Sequence, residues 1–588
     1  MGSVSEQGLS NIADAIQYAH QVVAGRIPAC KWHKACCQRQ IDDLAAWESD
    51  PEYPFDWRPN LADHEITFLQ CLRHVKGKWA GELIKLEPWQ KFIEACIFGW
   101  VRKSDGRRRY RTSYEEIPRK NAKTTKLAAR GLYLLVADNE WGAEVYSAAT
   151  SRDQAKIVFA IAQQMARIDG SFRARFGVEV LAHSMLVRES GSAFMPLSAE
   201  GGSLDGFNVS AALVDELHAH KTRTVYDALD TGTGSRAQPL INLITTAGSN
   251  RAGVCYDVRT YGCKILNTVL KRHGGMGYPV QGNCAEDDSF FIFIATLDEG
   301  DDPLDEANWP KSNPNFNVSV DAEDMRRLAT KAKSSAAALG QFLTKRHNIW
   351  VNADTAWMNM LRWDACANLD LKIEDFAGQP CVIGLDAAFK KDLFAKVRLF
   401  ERGGCWFAFG RYYMNEVVVR SEGNDHLAGW ERDGWICTTP GEVLDIEMVR
   451  DELIGDPDKP DDKIGDTQRF EVSDVAYDPA QITQFATELL NDHGVPMVEI
   501  RPTVLNFSAA MKELEERIIG GPSKFQHNGD PVLAWAIANV VCHRDHKDNI
   551  YPNKDKPDLK IDPVIALLMA IGRLMTRQDA TVPGIVVL

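Results

Sequence analysis

A lysine and threonine at the start of a helix, an Asp-Glu pair at the tip of an apolar strand, and three aspartates at the ends of later core elements are the residues whose types and spacing bear on chemistry. The first set lies in Arg119-Lys120-Asn121-Ala122-Lys123-Thr124-Thr125. It follows a short strand ended by Pro118 and opens a helix whose apolar face carries Leu127, Ala128 and Leu132. A loop in that place can cradle phosphate. Backbone N–H groups and the helix dipole hold the anion, Lys123 reaches the outer phosphates, and the Thr124 hydroxyl ligates Mg²⁺. Standard phosphate loops carry Gly where this chain has Ile117 and Ala122, so the stretch by itself also reads as a basic turn with a solvated lysine.

The second set ends the run Val209–Val214. Asp215 at a strand tip can hold Mg²⁺, and Glu216 can orient an attacking water; both also suit an acidic helix start. A third apolar run, Leu240–Ile244, leads into Thr245-Thr246-Ala247-Gly248, where hydroxyls can sense a γ-phosphate. The later aspartates are Asp386 after Val382–Leu385, Asp478 after Val472–Tyr477, and Asp562 before the apolar stretch Pro563–Met575. Clustered carboxylates hold two hard divalent ions, Mg²⁺ or Mn²⁺, for in-line phosphodiester hydrolysis. Asp478 and Asp562 each precede Pro and so also read as helix N-caps, whereas a charge at the tip of the buried Asp386 strand needs a reason. Asp392 is a further ligand or a turn residue, and Lys390 and Lys391 beside it could contact phosphate.

The elements that must position these groups alternate strand and helix over residues 110–250, which requires a mostly parallel sheet. Ala143–Ala149 reads as a strand and Gln154–Ile168 as the helix after it. The loop Glu200–Gly206 is polar and either moves with the site or simply connects. Residues 251–350 read as mainly helical, with helices over Val254–Leu270 and Ala322–Leu343. From residue 380 the pattern changes to strand–turn–strand, with strands over Leu393–Phe400 and Cys405–Gly410. Residues 86–100 read as an amphipathic helix in which Trp89 and Gln90 suit either an adenine pocket or a core helix cap. Asp456–Asp466 reads as an acidic exposed loop, and 543–560 as a polar segment.

A chain of 588 residues exceeds what one core usually supports. No apolar run is long enough for a bilayer, and the N-terminus lacks a signal-peptide core, so a reducing cytoplasm is expected. Thirteen scattered cysteines argue against a disulfide framework. Cys30, His33, Cys36 and Cys37 crowd one short segment and read as buried thiols on a helix rather than a zinc site. The net charge of −14 argues against a uniformly basic DNA-coating protein. Arg102, Lys103, Arg107, Arg108, Arg109 and Arg111 form a local basic cluster, either a phosphate contact or a solvated hairpin.

PRKNAKTT, VDELHAHK and ITTAGS, with LEPWQKF and AATSRDQA, resemble the large terminase subunit of tailed phages, in the branch whose loop reads PRKNGKS. GLDAAFKKDLFA, AYDP and KIDPVIALLMAIG resemble the three motifs of that family's nuclease domain. The resemblance spans roughly Trp32 to Met575, and its departure is Ala122 for the usual Gly. It implies an α/β protein with a P-loop NTPase domain of the ASCE type followed by an RNase H-like nuclease domain. The implied organisation is a helical region 1–59, an ATPase domain 60–350, a linker 351–374 and a nuclease domain 375–588. It favours the adenine role for Trp89 and Gln90. It also implies ATP with Mg²⁺ at Arg119–Thr125 and Asp215, Glu216 as the activating base, and Arg119 acting in cis or on a neighbour. Thr245 and Thr246 would couple hydrolysis to movement, and two Mg²⁺ or Mn²⁺ would sit at Asp386, Asp478 and Asp562. The implied partners are double-stranded viral DNA, a portal protein, a small terminase subunit and further copies in a ring, in the host cytoplasm with no membrane. A helicase or translocase without nuclease activity, and a degenerate capsid-assembly scaffold, are the competing expectations.

Overall fold

The computed structural model describes residues 6–149, 152–198, 206–220, 222–251, 253–278, 283–351, 357–387, 392–421, 425–455, 464–544, 548–554 and 559–580. The 199–205 part of the polar loop, Lys390 and Lys391, and the 456–463 part of the acidic run lie outside the described residues, as do 545–547 and 555–558 of the polar tail segment. The chain divides into two compact units, Met1–Thr330 with Gln341–Val351, and Lys331–Gly340 with Asn352–Leu588.

The first unit is built on an eight-stranded sheet. Its strand Thr112–Glu116 lies between Leu240–Thr245 and Phe290–Ile294, parallel to both. Beyond Leu240–Thr245 come Ala211–Asp215, Glu144–Ala149 and Ser192–Ser198, all parallel, and the far edge turns antiparallel at Met185–Val187 and Val178–Val180. Every residue of Leu240–Thr245 is buried, as expected of a strand covered on both faces. The sequence reading misses Phe290–Ile294, because a short apolar run has no period that separates strand from helix. The single helix expected over Ala322–Leu343 is two, Ala322–Ser334 and Ala336–His347. Ser335 breaks it, its hydroxyl accepting from the Ala338 N–H at 3.4 Å as an N-cap does.

Helix Lys123–Val136 lies close against this sheet. At Gly131 a Cβ would fall 2.6 Å from Leu213 Cδ1 on the strand that ends in Asp215, so the close approach needs glycine. Under the same helix sits a wholly buried charge cluster. Lys126 Nζ meets Glu115 at 2.6 Å and Glu94 at 2.9 Å, and Arg130 meets Glu94 at 2.6 Å and Glu115 at 2.8 Å. Glu65 lies beside Glu94; burial and that neighbour raise its pKa, which favours the neutral acid. The two cations face the carboxylates of Glu94 and Glu115, the pairing that buried charge requires.

Lys31–Ser49 carries the cysteine-rich segment. Cys36 and Cys37 are buried in the core, and His33 Nε2 pairs with the Tyr18 hydroxyl at 3.1 Å. Burial pushes the Cys36 thiol up to about 12. All thirteen cysteines are free, and only Cys71 and Cys284 are exposed. The basic cluster is largely consumed by structure. Arg108 pairs with Asp138, and buried Arg109 pairs with Asp43 at 2.7 Å and Asp288 at 2.6 Å. Arg102 and Arg107 face Asp105. This favours a paired hairpin over a phosphate-binding patch.

The second unit has a mixed sheet in the order Ile436–Thr439, Cys405–Asn415, Phe394–Arg402, Pro380–Asp386, Glu471–Tyr477, Met497–Glu499, with Phe525–His527 also on Cys405–Asn415. Pro380–Asp386 is antiparallel to Phe394–Arg402 and parallel to Glu471–Tyr477. Helix Asp562–Ala580 packs across the central strand. A Cβ at Gly384 would lie 1.9 Å from the Ala566 carbonyl oxygen, so the helix and strand backbones touch there. Asp466, expected in an exposed loop, is instead buried and pairs with Lys396 at 2.6 Å and Arg398 at 3.4 Å. No helix among the described residues is long and apolar enough to cross a membrane.

Candidate nucleotide and nuclease sites

In the first unit the parallel register pairs Glu116 with Thr245, and Asp215 with Ile244. The phosphate-loop candidates, the Asp-Glu pair and the two threonines therefore leave the sheet at one edge. That edge, the carboxyl ends of parallel strands, is where open α/β sheets bind ligands. The loop is held firmly. The Ile117 N–H donates to the Thr245 carbonyl at 3.0 Å, and the Arg119 N–H to the Lys345 carbonyl at 2.9 Å. Asn121 is fully buried; its amide donates to Asn313 Oδ1 at 3.0 Å, and its oxygen accepts from the Asn315 N–H at 3.0 Å. Arg119 and Lys120 are exposed.

Two non-glycine residues of the loop have left-handed backbone, Lys120 at φ 74° and Ala122 at φ 60°. Ala122 is thus where a glycine would sit without strain. It directly precedes helix Lys123–Val136. Lys123 is buried, and its ammonium donates to the Ile117 carbonyl at 2.7 Å. Burial lowers its pKa while Glu216 and Asp215 oppose the shift. The Thr124 hydroxyl donates to Asp215 Oδ2 at 3.3 Å. Burial, then Glu216, pushes Asp215 up to about 6.

Glu216 also has left-handed backbone, at φ 53°. Burial alone would raise its pKa, but the His218 hydrogen bond, Lys123 and Arg119 hold it below the usual range. His218 Nδ1 lies 3.2 Å from Glu216 Oε2 and 3.1 Å from Thr245 Oγ1, and Lys345 Nζ donates to its Nε2 at 2.9 Å. Thr246 Oγ1 donates to Glu216 Oε2 at 3.4 Å. The structure thus gathers Lys123, Thr124, Asp215, Glu216, Thr245 and Thr246 in one place. The sequence reading assigned no role to His218, although it stands two residues after Glu216 in VDELHAHK, nor to Lys345, Asn313 and Asn315, which nothing local marks because the fold alone brings 313–348 to the loop.

Trp89 lies in the core of the first unit. It is buried, stacks on Phe293, and its indole N–H donates to Asn315 Oδ1 at 2.6 Å. Gln90 accepts from the Glu87 N–H at 3.0 Å in a capping box, yet it also lines a cavity of about 190 Å³ beside the loop. Ala122 and Thr125 share that wall, and His74, Trp79 and Val318 also line the cavity. The His74 and Trp79 rings lie 5.6 Å apart.

In the second unit the parallel register pairs Leu385 with Tyr477, so Asp386 and Asp478 leave the sheet side by side. Asp562 begins the helix that crosses the same strand. Asp478 caps helix Pro479–His493 through the Ala480 N–H at 3.1 Å, so the N-cap reading holds for one carboxylate face. Desolvation, then the charges of Asp562, Asp478 and Asp392, raises Asp386 well above the carboxylate range. Desolvation and Asp392 push Asp562 up to about 6. Four carboxylates therefore repel one another at one edge. Lys560 forms an ion pair with Asp392, and the Lys560 carbonyl accepts from Asn539 Nδ2 at 3.0 Å. All-oxygen donors that repel one another fit hard divalent cations. Among the described residues no group of three His, Cys, Asp or Glu side chains is already arranged to hold a metal ion.

Two family models match the chain. One, described as terminase large subunit, ATPase domain, matches residues 88–264; the other, terminase large subunit, endonuclease domain, matches residues 284–578. Protein YmfN of Escherichia coli (strain K12) is 34% identical over 388 residues, 64% of this chain and 79% of that protein. The terminase large subunit of Enterobacteria phage HK97 is 23% identical over 505 residues, 84% of this chain and 92% of that one. The crystal structure of the HK97 bacteriophage large terminase aligns with 87% of this chain and 99% of that one, at 22% identity and a TM-score of 0.41.

Proposed function

The chain belongs to the terminase large subunit family, with an ATPase domain and a metal-dependent endonuclease domain, and from that premise we propose how its residues do the work. The first unit hydrolyses ATP to translocate double-stranded viral DNA into a procapsid. The second cuts concatemeric DNA. The observation that carries the reading is the pair of strand-edge clusters, Lys123–Thr124 against Asp215 in one unit and Asp386 beside Asp478 and Asp562 in the other.

In the ATPase domain Lys123 leaves the Ile117 carbonyl to bind the outer phosphates, and backbone N–H groups of Asn121–Thr124 hold them. Thr124 and Asp215, already hydrogen-bonded, would hold Mg²⁺, which would supply neutralisation of phosphate charge. Glu216, kept ionised by His218 and Lys123, takes the proton of the attacking water. Thr246, on the same Glu216 oxygen, passes the change to the strand end, with Thr245 steadying His218. Arg119 is exposed and reaches phosphate in cis or on a neighbouring subunit of a ring. The base enters the cavity by Gln90. The Gln90 oxygen is committed to the Glu87 N–H, so its amide NH₂ faces a base acceptor, and Trp79 rather than Trp89 supplies the aromatic wall.

In the nuclease domain Asp386, Asp478 and Asp562, with Asp392, would hold two divalent ions, Mg²⁺ or Mn²⁺. These ions would activate water and stabilise the leaving oxygen. The capping bond fixes one Asp478 oxygen and leaves the other for the metal. The partners are a portal protein and a small terminase subunit, and the place of action is the host cytoplasm. The domains are an ATPase over 60–350 and a nuclease over 375–588, joined at 351–374 and preceded by a helical region, 1–59.

The test is plasmid cleavage by the full chain with Mg²⁺ or Mn²⁺ beside Asp386→Ala and Asp478→Ala, and ATP turnover beside Lys123→Ala. Cleavage lost in both aspartate variants, each still folded, and turnover lost in the lysine variant are the expected results. Unchanged activity in these variants removes the corresponding site.

A further inference from the structure

Lys560 is the one side chain that an ion pair ties to the four-carboxylate edge among the described residues. Its position is built rather than incidental. The chain just before Asp562 is pinned where fully buried Asn539 donates to the Lys560 carbonyl at 3.0 Å. The stem is mostly covered, with the side chain 14% exposed, and the ammonium closes on Asp392, 168 residues away in sequence. Lys554 on the neighbouring strand Ile550–Lys554 bears on Asp562 from farther off. Among the described residues no salt bridge ties a cation to Asp386, Asp478 or Asp562, although the charge of Lys560 also bears on Asp562, and no group of three carboxylates is arranged to hold a metal ion.

An ammonium paired to a carboxylate competes with a metal ion for it. While Lys560 holds Asp392 Oδ1, only the second oxygen is open to a divalent cation, and the neighbouring ammonium repels the incoming ion. A lysine at such an edge has a second natural partner, because a phosphodiester is an anion that a lysine binds as a point charge. We propose that Lys560 is a latch: without DNA its ammonium holds Asp392 out of the metal-binding set, and a DNA phosphate that takes up the ammonium releases Asp392 to it. The metal site is then completed by the substrate itself. The proposal rests on the nuclease reading above.

The experiment is calorimetric titration of Mn²⁺ into the full chain, with and without a short DNA duplex. Asp386→Asn serves as the control for binding elsewhere in the molecule. Without DNA, Lys560→Met binds Mn²⁺ about three- to tenfold more tightly than the wild type. Lys560→Arg, which keeps the charge, stays near the wild type. The gain disappears in the double variant Asp392→Asn/Lys560→Met, because the carboxylate to be freed is gone. Duplex DNA tightens Mn²⁺ binding in the wild type and leaves Lys560→Met unchanged. An unchanged or weakened affinity in Lys560→Met, with the melting curve intact, overturns the latch. Mn²⁺ binding that survives Asp386→Asn in full overturns the nuclease reading beneath it, a result distinguishable from failure of the latch alone.

Discussion

Ala122 is the residue at which this chain departs from the pattern of its family, and its backbone shows what the departure costs. A left-handed φ of 60° is ordinary for glycine and strained for alanine. Ala122→Gly is expected to raise the stability of the first unit by about 0.5–1 kcal/mol in denaturant unfolding, since the loop keeps its shape and loses the strain. No gain would mean the loop relaxes elsewhere. The aromatic assignment is a second residue-scale matter. Base–aromatic stacking is worth about 1–3 kcal/mol. Trp79→Ala should therefore raise the KM for ATP about tenfold with kcat nearly unchanged, whereas Trp89→Ala should lower stability by about 3–5 kcal/mol, as removal of a buried aromatic does. Steady-state kinetics and thermal melts on the two variants separate these outcomes. The sequence marked Lys123, Thr124, Asp215 and the three nuclease aspartates because each stands at the start or the end of a recognisable apolar element. Trp79 sits in Gly77–Trp79, a single turn with no periodicity, and could be found only once the fold closed the cavity.

At the level of elements, two contacts carry the sites. Gly384 lets helix Asp562–Ala580 lie backbone to backbone on the strand that ends in Asp386. Gly384→Ala must push them apart, and overpacking of this kind costs about 1–3 kcal/mol or more. Cleavage should be lost and the second unit destabilised, while ATP turnover stays; equal loss of both activities would contradict it. The other contact is the charge cluster beneath helix Lys123–Val136. Glu65 is a neutral acid in the folded state, its pKa raised by burial and by Glu94. Folded protein then binds one more proton than unfolded protein above the unfolded carboxylate range. Stability contributed by Glu65 is complete below that range and falls by about 1.4 kcal/mol per pH unit as pH rises toward the folded pKa. Glu65→Gln removes the proton and the dependence, so the two proteins should diverge in unfolding free energy as pH is raised from about 4.5. Parallel curves would show Glu65 ionised in the fold. Sequence periodicity placed most of these helices and strands to within a few residues. It could not show that Glu94, Glu115, Lys126 and Arg130 meet, because their pairing joins three separate elements.

Over the whole molecule, the net charge is −14, and Arg108 and Arg109 of the basic cluster are taken up by Asp138 and Asp43. The order of the two domains was legible from their strand-tip acids. The strand Phe290–Ile294 and the return of Lys345–Asn348 to the phosphate loop were not, since both are fixed by contacts between residues far apart in the chain. The cysteine distribution has a practical consequence of its own. Eleven thiols are buried or partly covered, and two are exposed, Cys71 and Cys284, both in the ATPase unit. Maleimide dyes should therefore couple first at these two positions without any engineered cysteine. Cys71 lies three residues before His74 on the rim of the nucleotide cavity. A fluorophore there should change intensity when ATP is added and stay dark to it in Lys123→Ala, so the native chain already carries its own optical gauge of the motor's nucleotide cycle.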